Sequence, residues 1–288
     1  MKRRFLPLTL LFVFLAVLAV GSDARRSGSH PIPTPENHVK DLKCSQVSNK
    51  EITEISECPD TGCSKATESH PFDTLLNQVK NVPLSNKTAE TKDYSYLHDR
   101  PNPPSSYQEG DERQALEALG EGKMIRVMAY ATRVSQGSSE TCNCNLTTMA
   151  DKDNHIVLFD PGPDPNHPKP PAGTVSGKVA EKKSQTAEFT PRLRLTHPTL
   201  KYSNLNAWIQ AATGHKLLVR VTGLQMFDSH HLFHDPLPRH NNWEIHPAFR
   251  LEFCPKGNVC TRDSDANWVD LKPGPKVHKK SKAKKKTA

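Results

Sequence analysis

Six side chains of the kind that hold metal ions or move protons fall in three short pairs: Asp153 with His155, Asp228 with His231, and Glu244 with His246. Imidazole and carboxylate are the usual ligands of zinc and other divalent ions, and three of them around an ion with one open position activate a bound water. In that reading Asp153, His155, Asp228, His231 and His246 hold a divalent metal such as zinc and Glu244 is the general base. The reaction would then be a hydrolysis, with phosphodiesters as one substrate class. No pair has a tight spacing such as H-E-x-x-H, so the same residues could instead hydrogen-bond loop backbone and each other and so set the shape of the loops. Arg192, Arg194, His230 and Arg239 are the candidate contacts for an anionic ligand, although an exposed basic pair at Arg192 and Arg194 needs no ligand. Cys142-Asn143-Cys144 adds two soft donors, open to disulfide formation with distant partners such as Cys254 and Cys260 or to metal ligation beside the loop histidines. Neither a G-x-S-x-G elbow nor a nucleotide-binding glycine loop is present, which leaves nucleophilic catalysis without support.

Positioning these groups is the task of a short series of strands. Over 124–134, Ile125, Val127, Ala129 and Ala131 alternate with Arg126, Met128 and Tyr130, and a second apolar run covers 155–159. A third strand is expected where Phe189, Leu193 and Leu195 alternate with Arg192 and Arg194, with Pro191 confining it to an edge or a bulge. Leu205, Trp208, Ile209 and Ala212 then fall at helical spacing, with Ser203 or Asn204 placed to cap the helix and Gly214 to stop it. The fourth strand, 216–227, carries Gly223 where a small barrel must bend. The fifth, 243–254, sets Trp243, Ile245, Phe249, Leu251 and Phe253 against Glu244, His246, Arg250 and Glu252.

This order predicts a mainly β fold: a five-stranded OB-like Greek-key barrel with one helix between strands three and four. Ligands of such barrels lie across strands two and three, between the loop joining strands one and two and the loop joining strands four and five. Those loops are residues 135–153 and 228–242, so the two most ligand-rich stretches of the chain should face each other. Period-two burial over eleven positions, closed into a barrel, explains how a domain with a single helix can be stable.

Flanking segments place the barrel in a compartment. Residues 1–24 have the basic start, apolar run and small-residue exit of a signal peptide, so the protein is expected to be secreted or periplasmic, without a transmembrane segment in the mature chain. Residues 25–110 read as a loosely structured arm rich in Pro and polar residues, with one helix at 73–80 and a turn at 58–63 that a local disulfide could close. The barrel unit is assigned to 111–262 and a disordered lysine-rich tail to 263–288. Of the net charge of +8, residues 1–24 carry +2 and residues 276–288 carry +7, which leaves the body at −1. Any non-specific contact with polyanions therefore belongs to the tail, and the main partner is an extracytoplasmic ligand. Seven cysteines, an odd number, leave one thiol over in an oxidising compartment.

Taken together, the motifs C-N-C at Cys142, D-x-H at Asp153, V-T-G at Val221, F-D-x-x-H at Phe227 and W-E-I-H-P at Trp243 resemble a set of mostly uncharacterised bacterial secreted proteins with an OB-like barrel. The resemblance spans about residues 120–255. It implies that these residues form one functional or structural unit, and it implies no particular reaction. Three hypotheses follow: a non-catalytic binding module that presents the paired loops, a metal-dependent hydrolase on the same loops, and a purely structural envelope protein.

Overall fold

In the computed structural model the described residues are 52–63, 73–84, 87–103, 113–229 and 239–275. The signal-peptide stretch, His230, His231 and the lysine run from residue 276 onward lie outside them. The strands are β1 (Glu90–Lys92), β2 (Met124–Gln136), β3 (Asn154–Phe159), β4 (Gln185–Phe189), β5 (Leu217–Phe227), β6 (Trp243–Phe253) and β7 (Val269–Asp270). The helices are α1 (Asp73–Lys80), α2 (Ser95–His98), α3 (Arg113–Ala118), α4 (Lys178–Glu181), α5 (Pro191–Thr196) and α6 (Tyr202–Ala211).

Five strands close into a barrel in the order β2-β3-β4-β6-β5 and back to β2. All pairs are antiparallel except β4 with β6, which meet in parallel at Ala187 and Ile245. This is the OB-like arrangement, and closure leaves no unpaired edge along most of the sheet. Inside sit Ile125, Val127, Ala129, Ile156, Leu158, Ala187, Phe189, Val219, Val221, Trp243 and Ile245, joined by Leu205 and Ile209 of α6. Alternation therefore works as expected for β2 and β6, and the α6 stripe fills the core beside them. Gly223 lies at a register shift between β5 and β6, where a Cβ atom would come within 2.5 Å of the Pro247 carbonyl oxygen. Only glycine permits this close approach.

Three details differ from the sequence expectation. The third barrel strand is β4, Gln185–Phe189, and the stretch expected to be that strand forms α5. Pro191 stands in its first turn, where a missing N–H costs nothing, and the Thr190 side chain accepts from the Leu193 amide as its cap. Helix α6 begins at Tyr202, after Lys201, with no side-chain cap; Asn204 instead donates to the carbonyls of Thr199 and Lys272. Folded chain also continues past residue 262: β7 pairs with the end of β6, and Trp268 is buried against Arg220, so residues 263–275 belong to the folded unit rather than to a tail.

The arm is built onto the barrel. β1 runs parallel to β2 on the part of its edge that β3 does not reach. Tyr94 donates to the Leu158 carbonyl at 2.9 Å, and the Asn241 side chain donates to the carbonyls of Leu97, His98 and Arg100 at the end of α2. A disulfide joins Cys58 to Cys144, and another joins Cys254 to Cys260. Cys58 is thus not closed locally onto Cys63, and Cys254 and Cys260 pair with each other rather than with the C-N-C loop.

Candidate functional site

Period two puts His155 of β3, Glu188 of β4, and Glu244 and His246 of β6 on the outer face of the barrel, opposite the core residues Ile156, Ala187, Phe189, Trp243 and Ile245. His155 pairs directly with Glu188 across β3 and β4, and the single parallel contact of β4 with β6 brings Glu188 beside His246. The 135–153 loop adds Glu140, Cys142 and Asp153 at one end, and the 228–242 loop adds Asp228 and Arg239 at the other. Helix α1 contributes Lys80.

This face is not open to solvent. Asn81 of the arm donates to the Cys142 carbonyl at 2.8 Å, Asn77 receives a bond from the Thr141 hydroxyl, and the Cys63 amide donates to the Thr141 carbonyl. With the Cys58–Cys144 disulfide, these contacts roof the cluster with the chain's own arm. Asp153 and His246 are 0% exposed, Glu244 is 1% and Glu188 is 4%. The solvent edge is formed by His155 and Glu140, whose side chains are 29% and 17% exposed.

The hydrogen bonds divide the cluster in two. On one side Arg239 holds Glu244 at 2.7 Å and Asp228 in a second ion pair, and its Nε donates to the Asn241 carbonyl. On the other side His246 Nδ1 lies 3.1 Å from both Glu188 and Glu244, and His155 Nε2 lies 3.3 Å from Glu188. Asn143 donates to Asp153 Oδ1 at 3.2 Å. Asp153 Oδ2 and His246 Nε2, 3.9 Å apart, have no hydrogen-bond partner among the described residues. A buried polar atom left unpaired costs about 1–3 kcal/mol, and more when it is charged, so two facing one another call for an explanation.

The electrostatics point the same way. Five carboxylates (Glu140, Asp153, Glu188, Asp228 and Glu244) share this space with the permanent cations Lys80 and Arg239, and the buried Arg194 guanidinium is within electrostatic reach of Asp153. Burial and the Glu140 carboxylate push the Asp153 carboxyl up to about 6, against the pull of His246. Burial alone would lower the His246 imidazole, but the Glu188 and Glu244 carboxylates outweigh it and push it up to about 10. Burial raises Glu244, helped by Glu188 and opposed by Arg239. Burial opposes ionisation of Glu188, yet the two histidines hold it below the usual carboxylate range. Burial likewise opposes the Lys80 ammonium, but Glu140 at 2.8 Å keeps it well above the usual lysine range.

Ligand-type atoms of Asp153, Glu188 and His246 all lie within 4.8 Å of one another, as do those of Glu140, Cys142 and Asp153. A divalent ion seated among the first three would satisfy both unpaired atoms and the excess negative charge, at the cost of one imidazole proton. Asp228, by contrast, is engaged by Arg239.

Of the residues singled out from sequence, Asp153, His155, Asp228, Arg239, Glu244 and His246 come together, while His230 and His231 lie outside the described residues. Arg192 and Arg194 come from α5 at the border of the cluster, within electrostatic reach of Cys142 and Asp153 respectively, but their hydrogen bonds go to other groups. Arg192 donates to the Pro59 carbonyl and pairs with Asp60, and Arg194 donates to the carbonyls of Phe189, Ala150 and Lys152. Glu188, Glu140 and Lys80 escaped sequence reasoning. Glu188 had a signal that was not used, because Thr186 and Glu188 alternate with Ala187 and Phe189 just ahead of the stretch expected as the third strand. Lys80 had none. Compared with known proteins, the chain matches no family model, no curated sequence and no solved structure.

Proposed function

We propose that this protein is an extracytoplasmic binding module whose OB-like ligand face holds a divalent cation through Asp153, Glu188 and His246. The observation that carries this reading is the pair of facing, fully buried atoms, Asp153 Oδ2 and His246 Nε2, 3.9 Å apart and without a hydrogen bond among the described residues, in a cluster with more carboxylates than permanent cations. Secretion is supported by the disulfides and by the leader-like first 24 residues. Among the described residues no helix is long and apolar enough to cross a membrane. Seven lysines in residues 276–288 suit a supplementary, non-specific hold on a polyanionic surface.

Hydrolysis at the same ion is the second reading, favoured by the solvent edge at His155 and Glu140, through which a water could reach the cluster. It is the weaker one because Glu244, the candidate base, has one oxygen on Arg239 and the other on His246. Elemental analysis of the purified protein tests the proposal. One divalent ion per chain, lost in an Asp153→Asn, His246→Ala variant that still folds, supports it. A folded wild-type protein that neither carries nor takes up a divalent ion rules out both readings.

A further inference from the structure

A cleft of about 910 Å³ opens at the other end of β3 from Asp153. Loop 160–177 lines it from one stretch of chain, α4 and Lys183 from a second, and the stacked rings of His98 and His240, 3.8 Å apart, from a third. Loops this long with no helix or strand of their own are uncommon unless they serve a purpose. This one is held in place along its length. The Lys169 amide donates to the Pro161 carbonyl at 2.7 Å, the Arg262 amide to the Pro165 carbonyl at 3.0 Å, and the Lys216 ammonium to the Pro171 carbonyl at 2.6 Å. Pro170 and Pro171 stiffen the part that faces the cleft. The cleft is therefore formed before a ligand arrives, which spares the ligand the cost of ordering the loop.

Its lining has two characters. Val175 and Ala180 pack against Phe159 and its buried neighbours, and Val179 is 81% exposed, so apolar surface is offered to solvent. Around it stand Lys169 and Lys183, neither paired with a carboxylate among the described residues, and the two imidazoles. His98 Nδ1 is engaged by Asp99 at 2.7 Å. Asp160 is the one acid among the described lining residues, and one of its oxygens accepts from the Gly162 amide at 2.8 Å.

We propose that this cleft is a second binding site, separate from the cation cluster, and that it takes a small amphipathic carboxylate of the medium-chain fatty acid class. The apolar chain lies against Phe159, Val175, Val179 and Ala180, where burial of its surface drives binding. The carboxylate end meets Lys169 and Lys183, which selects an anion over a neutral or cationic amphiphile. Clefts of this size suit ligands of drug size or less, and a few charged groups at the edge of an apolar lining are what fix their orientation.

Titration calorimetry of the purified protein with decanoate, held below its micelle-forming concentration, tests the site. One saturable site is expected, with no binding of acetate, which lacks the apolar body, or of decyltrimethylammonium, which reverses the charge. A Lys169→Glu, Lys183→Glu variant and a separate Val179→Asp variant should each weaken decanoate by about tenfold or more. All three positions are exposed, so the variants report on the ligand rather than on the fold. No saturable binding of decanoate, or equal binding of decyltrimethylammonium, would overturn the proposal. Binding undiminished in both variants would also overturn it and assign the contact to the lysines of residues 276–288.

Discussion

Two buried ionic groups of this barrel, both drawing on β6, have been resolved in different ways. Arg220 of β5 and Glu252 of β6 form a two-pronged pair, 2.8 Å on each side, with the guanidinium stacked over Trp268 and its remaining nitrogen on the Ser264 carbonyl and Asp265. Around Asp153, Glu188 and His246 the carboxylates outnumber the permanent cations, and two polar atoms face each other without a hydrogen bond. Burial is similar in the two groups, so burial alone does not separate them. Satisfaction does: a completed pair fixes the register of two strands, whereas an incomplete cluster on the ligand face has donor atoms to offer a cation.

Four measurements break or sharpen that contrast, from the largest expected effect to the smallest. Arg220→Met leaves Glu252 buried with only the half-exposed Arg250, at 3.2 Å, as a cationic partner and should cost about 3 kcal/mol in urea denaturation; the double variant with Glu252→Leu should recover most of it. An equally large loss in the double variant would mean that the pair's geometry, not its charge balance, matters. Lys80→Met removes the cation beside Glu140 and should cost roughly 2–3 kcal/mol, less because Glu140 keeps some solvent contact. That loss should shrink when a divalent ion is added, which no ion could do for the Arg220 pair.

The third measurement is the pH dependence of the metal-free protein. His246 is raised in the folded state, so its contribution is fully present below the unfolded histidine value of about 6.5 and is lost as pH rises through about 10. Between pH 7 and 8.5 stability should fall by at most about 1.4 kcal/mol per pH unit. His246→Gln should flatten the slope; a slope unchanged in that variant would assign it elsewhere. Last, Asp153→Asn removes one surplus buried charge and should stabilise the metal-free protein by about 1 kcal/mol while abolishing cation uptake. A destabilised metal-free variant would mean that the carboxylate is already satisfied.

Much of the scaffold is legible in residue order. The alternations in β2 and β6, the helical stripe of α6 and the glycine at Gly223 are local patterns read against known periods, and they were enough to place the two loops at one face. The third strand was not, because Pro191 and the alternating Leu193 and Leu195 fit a strand and a short capped helix equally well. Only the packing of Arg194 onto three carbonyls shows which was formed. Within the site, the residues near His and Asp motifs were legible and Glu188 and Lys80 were not. Lys80 reaches Glu140 across 60 residues of chain, and no periodicity records such a contact.

By itself, then, the sequence determined the barrel, all of its strands but the third, and which loops meet at one face, because these follow from period-two and period-3.6 patterning and from the rules for closing a small sheet. The tertiary structure alone decided that this face is roofed by the arm, that carboxylates outnumber cations there, and that Cys142 is the thiol left over among the described cysteines. Burial and charge balance arise where distant segments meet, and a side chain's ionisation depends on those neighbours rather than on its own position in the chain.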